Sequence, residues 1–284
     1  MRVSDDINVV REERRSEPGL SWGAVLTMGF LHEGHLSLVR RAREENDRVS
    51  VSIFVNPAQF GSEGDLHVYP RNIEQDLELL TRENVDLVFT PSERLMYPQD
   101  FQTNIVVEKL TLPLEGASRP GHFLGVGTIV AKLFNILDPD RSYFGQKDAQ
   151  QAIMLKRMVK DLNFKVKIVV CPIVREPDGL ALSSRNVRLS QAQRAAAPVL
   201  HEALMAAEER VLAGEREADI LRGTMRRIIQ AEPLAKIDYA SAADPTTLME
   251  LGTIKKGVLL SLAVFFGDVR LIDNILIESN LPEV

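Results

Sequence analysis

The chain has 284 residues, 45% hydrophobic and 26% charged, with a formal net charge of −6, a composition ordinary for a water-soluble globular protein and a length between one large and two modest domains. No apolar run approaches the roughly 20 residues that span a bilayer, and the acidic balance argues against general nucleic-acid affinity and for a small-molecule ligand. One cysteine excludes an internal disulfide framework, and the start Met1-Arg2-Val3-Ser4-Asp5-Asp6 lacks the apolar core of a signal peptide, so a reducing cytoplasm is the expected compartment.

From Trp22 to Val174, apolar runs of strand length alternate with helical patterns, as in a parallel sheet covered by helices. Strands are predicted at Ala24 to Thr27, Arg48 to Val55, Val85 to Thr90, Arg141 to Phe144 and Val166 to Val170. Helices are predicted between them at Leu36 to Glu45, Ile73 to Glu83, Thr128 to Leu137 and Ala149 to Leu162. Within the third helix Val130, Leu133, Phe134 and Leu137 recur at helical spacing and form one buried stripe. The segment Pro172-Ile173-Val174-Arg175-Glu176-Pro177-Asp178-Gly179 reads as a hinge. Helical stretches at Gln191 to Ala213 and Ala218 to Gln230 follow it. Strand-like runs at Lys236 to Ser241, Val258 to Phe266 and Val269 to Ile277 close the chain, with Gly267-Asp268 a hairpin turn between the last two. The expected fold class is α/β: a parallel-sheet domain over residues 1–174, then a smaller α+β domain over residues 175–284.

Polar islands stand where the strands end, which is where open α/β sheets bind ligands. Thr27-Met28-Gly29-Phe30-Leu31-His32-Glu33-Gly34-His35 carries two of the five histidines at a strand-to-helix junction. The unpaired N–H groups and positive dipole end of a helix start favour an anion, and imidazoles add donors for phosphate oxygens. A metal site and a purely structural glycine turn are the alternatives, although the zincin pattern fails because Gly34 alone separates Glu33 from His35. Phe54-Val55-Asn56-Pro57-Ala58-Gln59-Phe60-Gly61 offers the Gln59 amide to hydroxyls or a carboxylate, or is simply an Asn-Pro turn. Phe144-Gly145-Gln146-Lys147-Asp148-Ala149-Gln150-Gln151 supplies a close-approach glycine, a compact cation and an acceptor for ribose hydroxyls or for a helix start. Leu182-Ser183-Ser184-Arg185-Asn186 joins two hydroxyls to a guanidinium, a phosphate clamp or a capped helix. Walker, GxGxxG and GxSxG patterns do not occur, so P-loop kinases, nicotinamide dehydrogenases and nucleophile-elbow hydrolases are unsupported.

Together with Tyr69-Pro70-Arg71 and Arg119-Pro120-Gly121-His122-Phe123, these islands closely resemble the pantothenate synthetase family, in order and spacing along nearly the whole chain. That family lies in the nucleotidyltransferase superfamily marked by a His-x-Gly-His element. The resemblance implies a Rossmann-like ATP- and pantoate-binding domain followed by a C-terminal lid. It also implies joining of pantoate to β-alanine with ATP and Mg2+, through a pantoyl adenylate, with release of pyrophosphate and then AMP. Carried over residue by residue, Met28, Gly29, His32, Gly34 and His35 bind ATP, with His32 and His35 on phosphate oxygens and His35 as proton donor to the leaving group. Lys147 and the Leu182, Ser183, Ser184 and Arg185 segment hold the triphosphate, Gly145 and Asp148 contact adenosine, and Val174 meets the base through its backbone. Gln59 and Gln151 hold pantoate, Gln59 also meets β-alanine, and Met28 and Phe60 face the geminal methyls. Asp76 is the candidate for a water-mediated magnesium contact. A homodimer through the N-terminal domain is implied as well. Leu26 and Leu182 depart from the proline and methionine common in the family at those places, and both keep apolar bulk.

Two other readings stay open on the residues. A nucleotidyltransferase making a dinucleotide or CDP-linked product shares the histidine element but has no need of Gln59 and Gln151. A nucleotide sensor has no need of a proton donor at His35.

Overall fold

A computed structural model describes residues 1–61 and 66–278. They fall into two compact units: Met1–Thr111, Glu115–Gln146 and Gln151–Pro172 in the first, and Leu112–Leu114, Lys147–Gln150 and the chain from Ile173 in the second.

In the first unit β1 (Arg2–Ser4), β2 (Trp22–Thr27), β3 (Arg48–Ile53), β4 (Leu87–Phe89), β5 (Arg141–Gly145) and β6 (Lys167–Cys171) form one parallel sheet in the order β1-β4-β3-β2-β5-β6. Helices α1 (Ile7–Ser16), α2 (Glu33–Glu45), α3 (Ile73–Arg82), α4 (Glu93–Met96), α5 (Glu115–Ser118), α6 (His122–Leu137) and α7 (Ala149–Asp161) lie along the chain between the strands. The strands read as continuous apolar runs because both faces of a parallel sheet are covered. Alternate residues serve different cores. Trp22, Ala24, Leu87 and Phe89 pack with Val10 of α1 and the apolar α6, whereas Val25, Val49, Val51 and Val88 pack with Leu38, Val39 and Ala42 of α2 and Leu80 of α3. Each fully buried side chain of this size contributes about 1.5–3 kcal/mol relative to exposure.

The direction of strand succession reverses between β2 and β5, and ligands of such sheets bind outside the strand C-termini at that reversal. Three islands issue there: β2 runs into Met28, its neighbour β3 into Asn56, and β5 ends at Gly145.

The second unit has its own core. Helices α8 (Gln191–Ala196), α9 (Val199–Leu212) and α10 (Ala218–Gln230) pack on an antiparallel sheet of β7 (Ala235–Ala243), β8 (Val258–Phe266) and β9 (Val269–Ile277), with β8 in the middle. Gly267, at φ +59, and Asp268 make the turn between β8 and β9. The expected helix Gln191 to Ala213 is two helices, because Pro198 has no N–H to continue the first and starts the second instead. The expected hinge is a tight hairpin. Arg175 bridges Ala181, Leu182 N donates to Val174 O at 3.0 Å, and Gly179 at φ +91 turns the chain where a Cβ would fall 2.2 Å from His201 Cδ2. Strand β1 and helix α1 were not expected. Arg2-Val3-Ser4 is a short edge strand with no apolar run, and α1 fully buries only Val10.

Candidate active site

Beyond Thr27 the chain turns through two left-handed residues, Gly29 at φ +78 and Phe30 at φ +50. A Cβ on Gly29 would lie 2.9 Å from Asp76 Oδ2 and 3.0 Å from Ile53 Cγ2, so glycine is required on both counts. The turn aims consecutive amides at Asp76 of α3: Phe30 N donates to Oδ2 at 2.8 Å and Leu31 N to Oδ1 at 2.7 Å. Asp76 is only 2% exposed, and burial pushes its carboxyl above the ordinary value against the pull of the two amides. The expected water-mediated magnesium contact falls on a buried carboxylate that accepts one loop amide on each oxygen. Asp76 is the clasp of the histidine turn. Among the described residues no cluster of three or more His, Cys, Asp or Glu could hold a metal ion.

His32 caps α2 in extended backbone, φ −138 and ψ 175, and its side chain accepts from Gly34 N at 3.2 Å. His35 returns the bond by accepting from His32 N at 3.3 Å, a reciprocal capping box made by two imidazoles whose centroids lie 4.1 Å apart. Both acceptors are Nδ1. That network assigns the proton of each neutral ring to Nε2, so each histidine braces the helix start with one nitrogen and carries a donor on the other. Phosphate oxygens are suitable partners for those donors and for the helix start itself.

After β3, Asn56-Pro57-Ala58-Gln59 forms a 3-10 turn over Pro57–Gln59. It is more than a turn. Asn56 is 1% exposed and all its polar atoms are used: Oδ1 accepts from Ala58 N at 3.3 Å and Tyr97 Oη at 2.8 Å, and Nδ2 donates to Gly125 O at 3.2 Å and Gln59 Oε1 at 3.1 Å. Gln59 Nε2 donates to Met28 Sδ at 3.1 Å, which brings the islands after β2 and β3 together. The backbone carbonyl of Gln59 accepts from Arg119 Nη2 at 3.4 Å and lies 2.8 Å from His122 Nδ1. Helix α6 fits beneath this turn because Gly125 has no side chain, and a Cβ there would sit 2.4 Å from Ala58 O and 2.7 Å from Gln59 N. Phe60 is half-buried and packs edge-on to Tyr69, with centroids 5.7 Å apart. Gly145 ends β5 paired with Cys171, and Gln151 is half-buried in the first turn of α7.

The other expected ligands lie in the second unit. Half-buried Lys147 and exposed Asp148 occupy the 3-10 turn Gln146–Asp148, and Lys147 O accepts from Asn274 Nδ2 at 3.0 Å. Asn274 follows Asp273, which is 3% exposed and paired two-pronged with Arg175 at 2.6 and 2.9 Å. The hairpin at residues 174–182 therefore sets Val174 beside Leu182 and presents the serines directly after it. Ser183 Oγ accepts from Arg185 N at 3.2 Å, Ser184 is buried, and Arg185 is half-buried.

The Arg119-to-Phe123 island stands out in the sequence without a task, and Tyr97 and Gly125 do not stand out there at all. Spacing alone carries no sign that these residues converge on one turn.

A sequence profile described as pantoate-beta-alanine ligase matches residues 2–276. A pantothenate synthetase of Roseiflexus sp. (strain RS-1) is 58% identical over 98% of this chain and 100% of its own length. The solved pantothenate synthetase of Thermus thermophilus is 46% identical, with a TM-score of 0.91, over 97% of this chain and 99% of that one. The pantoate-beta-alanine ligase of Francisella tularensis, solved in complex with beta-gamma ATP and β-alanine, is 37% identical, with a TM-score of 0.80, over 97% of each chain. Coverage of whole chains at these identities reaches well past shared fold: the chain is an enzyme of the pantoate-beta-alanine ligase family.

Proposed function

We propose that this enzyme joins (R)-pantoate to β-alanine using ATP, in two steps. A carboxylate oxygen of pantoate attacks the α-phosphorus, and the bond to the departing pyrophosphate breaks. The amine of β-alanine then attacks the acyl carbon of the adenylate, the nitrogen loses a proton, and AMP leaves. Activation is needed because a free carboxylate oxygen is a poor leaving group for amine attack. The reading is carried by one juxtaposition: a two-imidazole helix start after β2 and the Gln59 amide after the adjacent strand β3, joined through Met28 at the point where strand succession reverses.

Nε2–H of His32 and of His35 meet phosphate oxygens, with His35 beside the leaving group, and Met28, Gly29 and Gly34 shape the backbone around them. Lys147, Ser183, Ser184 and Arg185 carry the charge and hydroxyl donors for the triphosphate, and Leu182 places that segment. Gly145, Asp148 and Val174 serve the adenosine. Gln59 and Gln151 hold pantoate beside an apolar wall of Met28 and Phe60. Because such chemistry rests on positioning and charge stabilisation, loss of one triphosphate contact is expected to slow adenylation about 10²-fold or more. Mg2+ belongs to this reading as a charge-neutralising partner of the phosphates, held by phosphate oxygens and water, with Asp76 the candidate for a contact through such a water. Residues 1–174 acting as the ATP- and pantoate-binding domain, 175–284 acting as a lid, a homodimer and a cytoplasmic location complete it.

The test is isotope exchange. Purified protein with ATP and Mg2+ is expected to exchange labelled pyrophosphate into ATP only when pantoate is present, and to release AMP once β-alanine is added. Exchange that ignores pantoate, or AMP release with no need of β-alanine, would overturn the proposal.

A further inference from the structure

The hydrogen bonds behind Gln59 run in a determinate order. Ala58 N can only donate and Gly125 O can only accept, so these two backbone groups fix which end of the Asn56 amide is oxygen and which is nitrogen. With Oδ1 fixed as an acceptor, the Tyr97 hydroxyl at 2.8 Å must donate to it. With Nδ2 fixed as a donor, the Gln59 atom facing it at 3.1 Å must be Oε1. Gln59 therefore cannot turn over without setting two N–H groups against each other. It presents Nε2, one hydrogen of which meets Met28 Sδ, while the other has no partner among the described residues.

Tyr97 is itself firmly seated. Its ring meets Phe101 edge-on with centroids 5.1 Å apart and lies 6.4 Å from that of Phe54. Lys132 of α6 donates to Met96 O and stands over both rings, 5.5 Å from the Tyr97 centroid and 4.4 Å from that of Phe101. Burial pushes the Tyr97 hydroxyl up to about 12, so it keeps its proton throughout the neutral range.

We propose that Tyr97 is a positioning residue for pantoate, acting through Asn56 to hold Gln59 as a hydrogen-bond donor, so that the site selects a substrate oxygen with a free lone pair at that point. The proposal rests on Gln59 as a pantoate ligand, and its test separates the two ideas.

The native enzyme, Tyr97→Phe, Asn56→Asp and Gln59→Glu are compared by steady-state kinetics and thermal unfolding. Tyr97→Phe removes one donor and keeps the ring. It is expected to raise KM for pantoate about three- to tenfold, the worth of one hydrogen bond, with KM for ATP and kcat at saturating pantoate unchanged. Asn56→Asp sets an oxygen against Gln59 Oε1 and is expected to raise KM for pantoate further. Gln59→Glu keeps the acceptor, removes both N–H groups, and is expected to give the largest rise. A Tyr97→Phe enzyme with a lowered Tm and native KM for pantoate would make Tyr97 merely structural and overturn the inference. Native KM in Gln59→Glu would overturn the Gln59 assignment together with it.

Discussion

His35 braces the helix start through Nδ1 and is proposed to serve the leaving group through Nε2, and substitutions can part the two. Asparagine at position 35 retains a side-chain acceptor near the place of Nδ1, able to take the His32 amide, but has nothing at Nε2; alanine loses both. His35→Ala is expected to lower stability by about 0.5–2 kcal/mol, the worth of a helix cap, and His35→Asn to lower it less. Both are expected to lose pantoate-dependent pyrophosphate exchange about 10²-fold or more. Urea unfolding beside exchange assays decides the matter, and an active His35→Asn enzyme would remove Nε2 from the leaving-group role. The sequence showed that these histidines stand at a helix start. It did not show that they cap that helix for each other, because a capping box normally has Ser or Thr followed by Glu or Gln.

At the level of elements, α6 and the turn after β3 are matched surfaces. Gly125→Ala would force a methyl against two backbone atoms that have no rotamer to change, so overpacking of about 1–3 kcal/mol is expected. The displaced turn carries Gln59, so KM for pantoate should rise as stability falls; a fall in Tm with native KM would show that the turn moves without its side chain. In the loop after β7, the amide of Thr247 at 2.7 Å, that of Thr246 at 2.9 Å and the Thr247 hydroxyl at 3.0 Å hold the Asp244 carboxyl below its ordinary value. A value lower when folded than when unfolded contributes stability above the unfolded carboxylate pKa, about 3.9, that is lost as pH falls through the folded value. Asp244→Asn should therefore be less stable than the native protein near neutrality, with the gap closing below about pH 4; a gap constant with pH would contradict this. Most elements were legible because burial on both sheet faces leaves unbroken apolar runs and α6 is apolar almost all round. What escaped was local chemistry. Asn56 looked like half of an Asn-Pro turn, although its amide gathers Ala58, Tyr97, Gly125 and Gln59, and a sequence does not reveal that Asp76 is buried against two loop amides.

At the level of the whole molecule, the two cores of the first unit and the single core of the second have no residue in common. Leu260, fully buried in β8, belongs to the core of the second unit. Leu260→Ala is expected to lower the unfolding free energy by about 2–5 kcal/mol while KM for pantoate, assigned to first-unit side chains, stays native below the unfolding temperature. Denaturant titration and kinetics at room temperature check both, and a large change in pantoate KM would show that the assignment to the first unit is incomplete.

The paired left-handed residues after β2 have a wider consequence. Successive amides pointing into one concavity form a nest of the kind that cradles phosphate in P-loop proteins, yet here Asp76 fills it with the protein's own anion. On the proposed function, the phosphates of an incoming nucleotide would meet the imidazoles of His32 and His35 rather than that hollow, where a Walker loop offers its bare backbone.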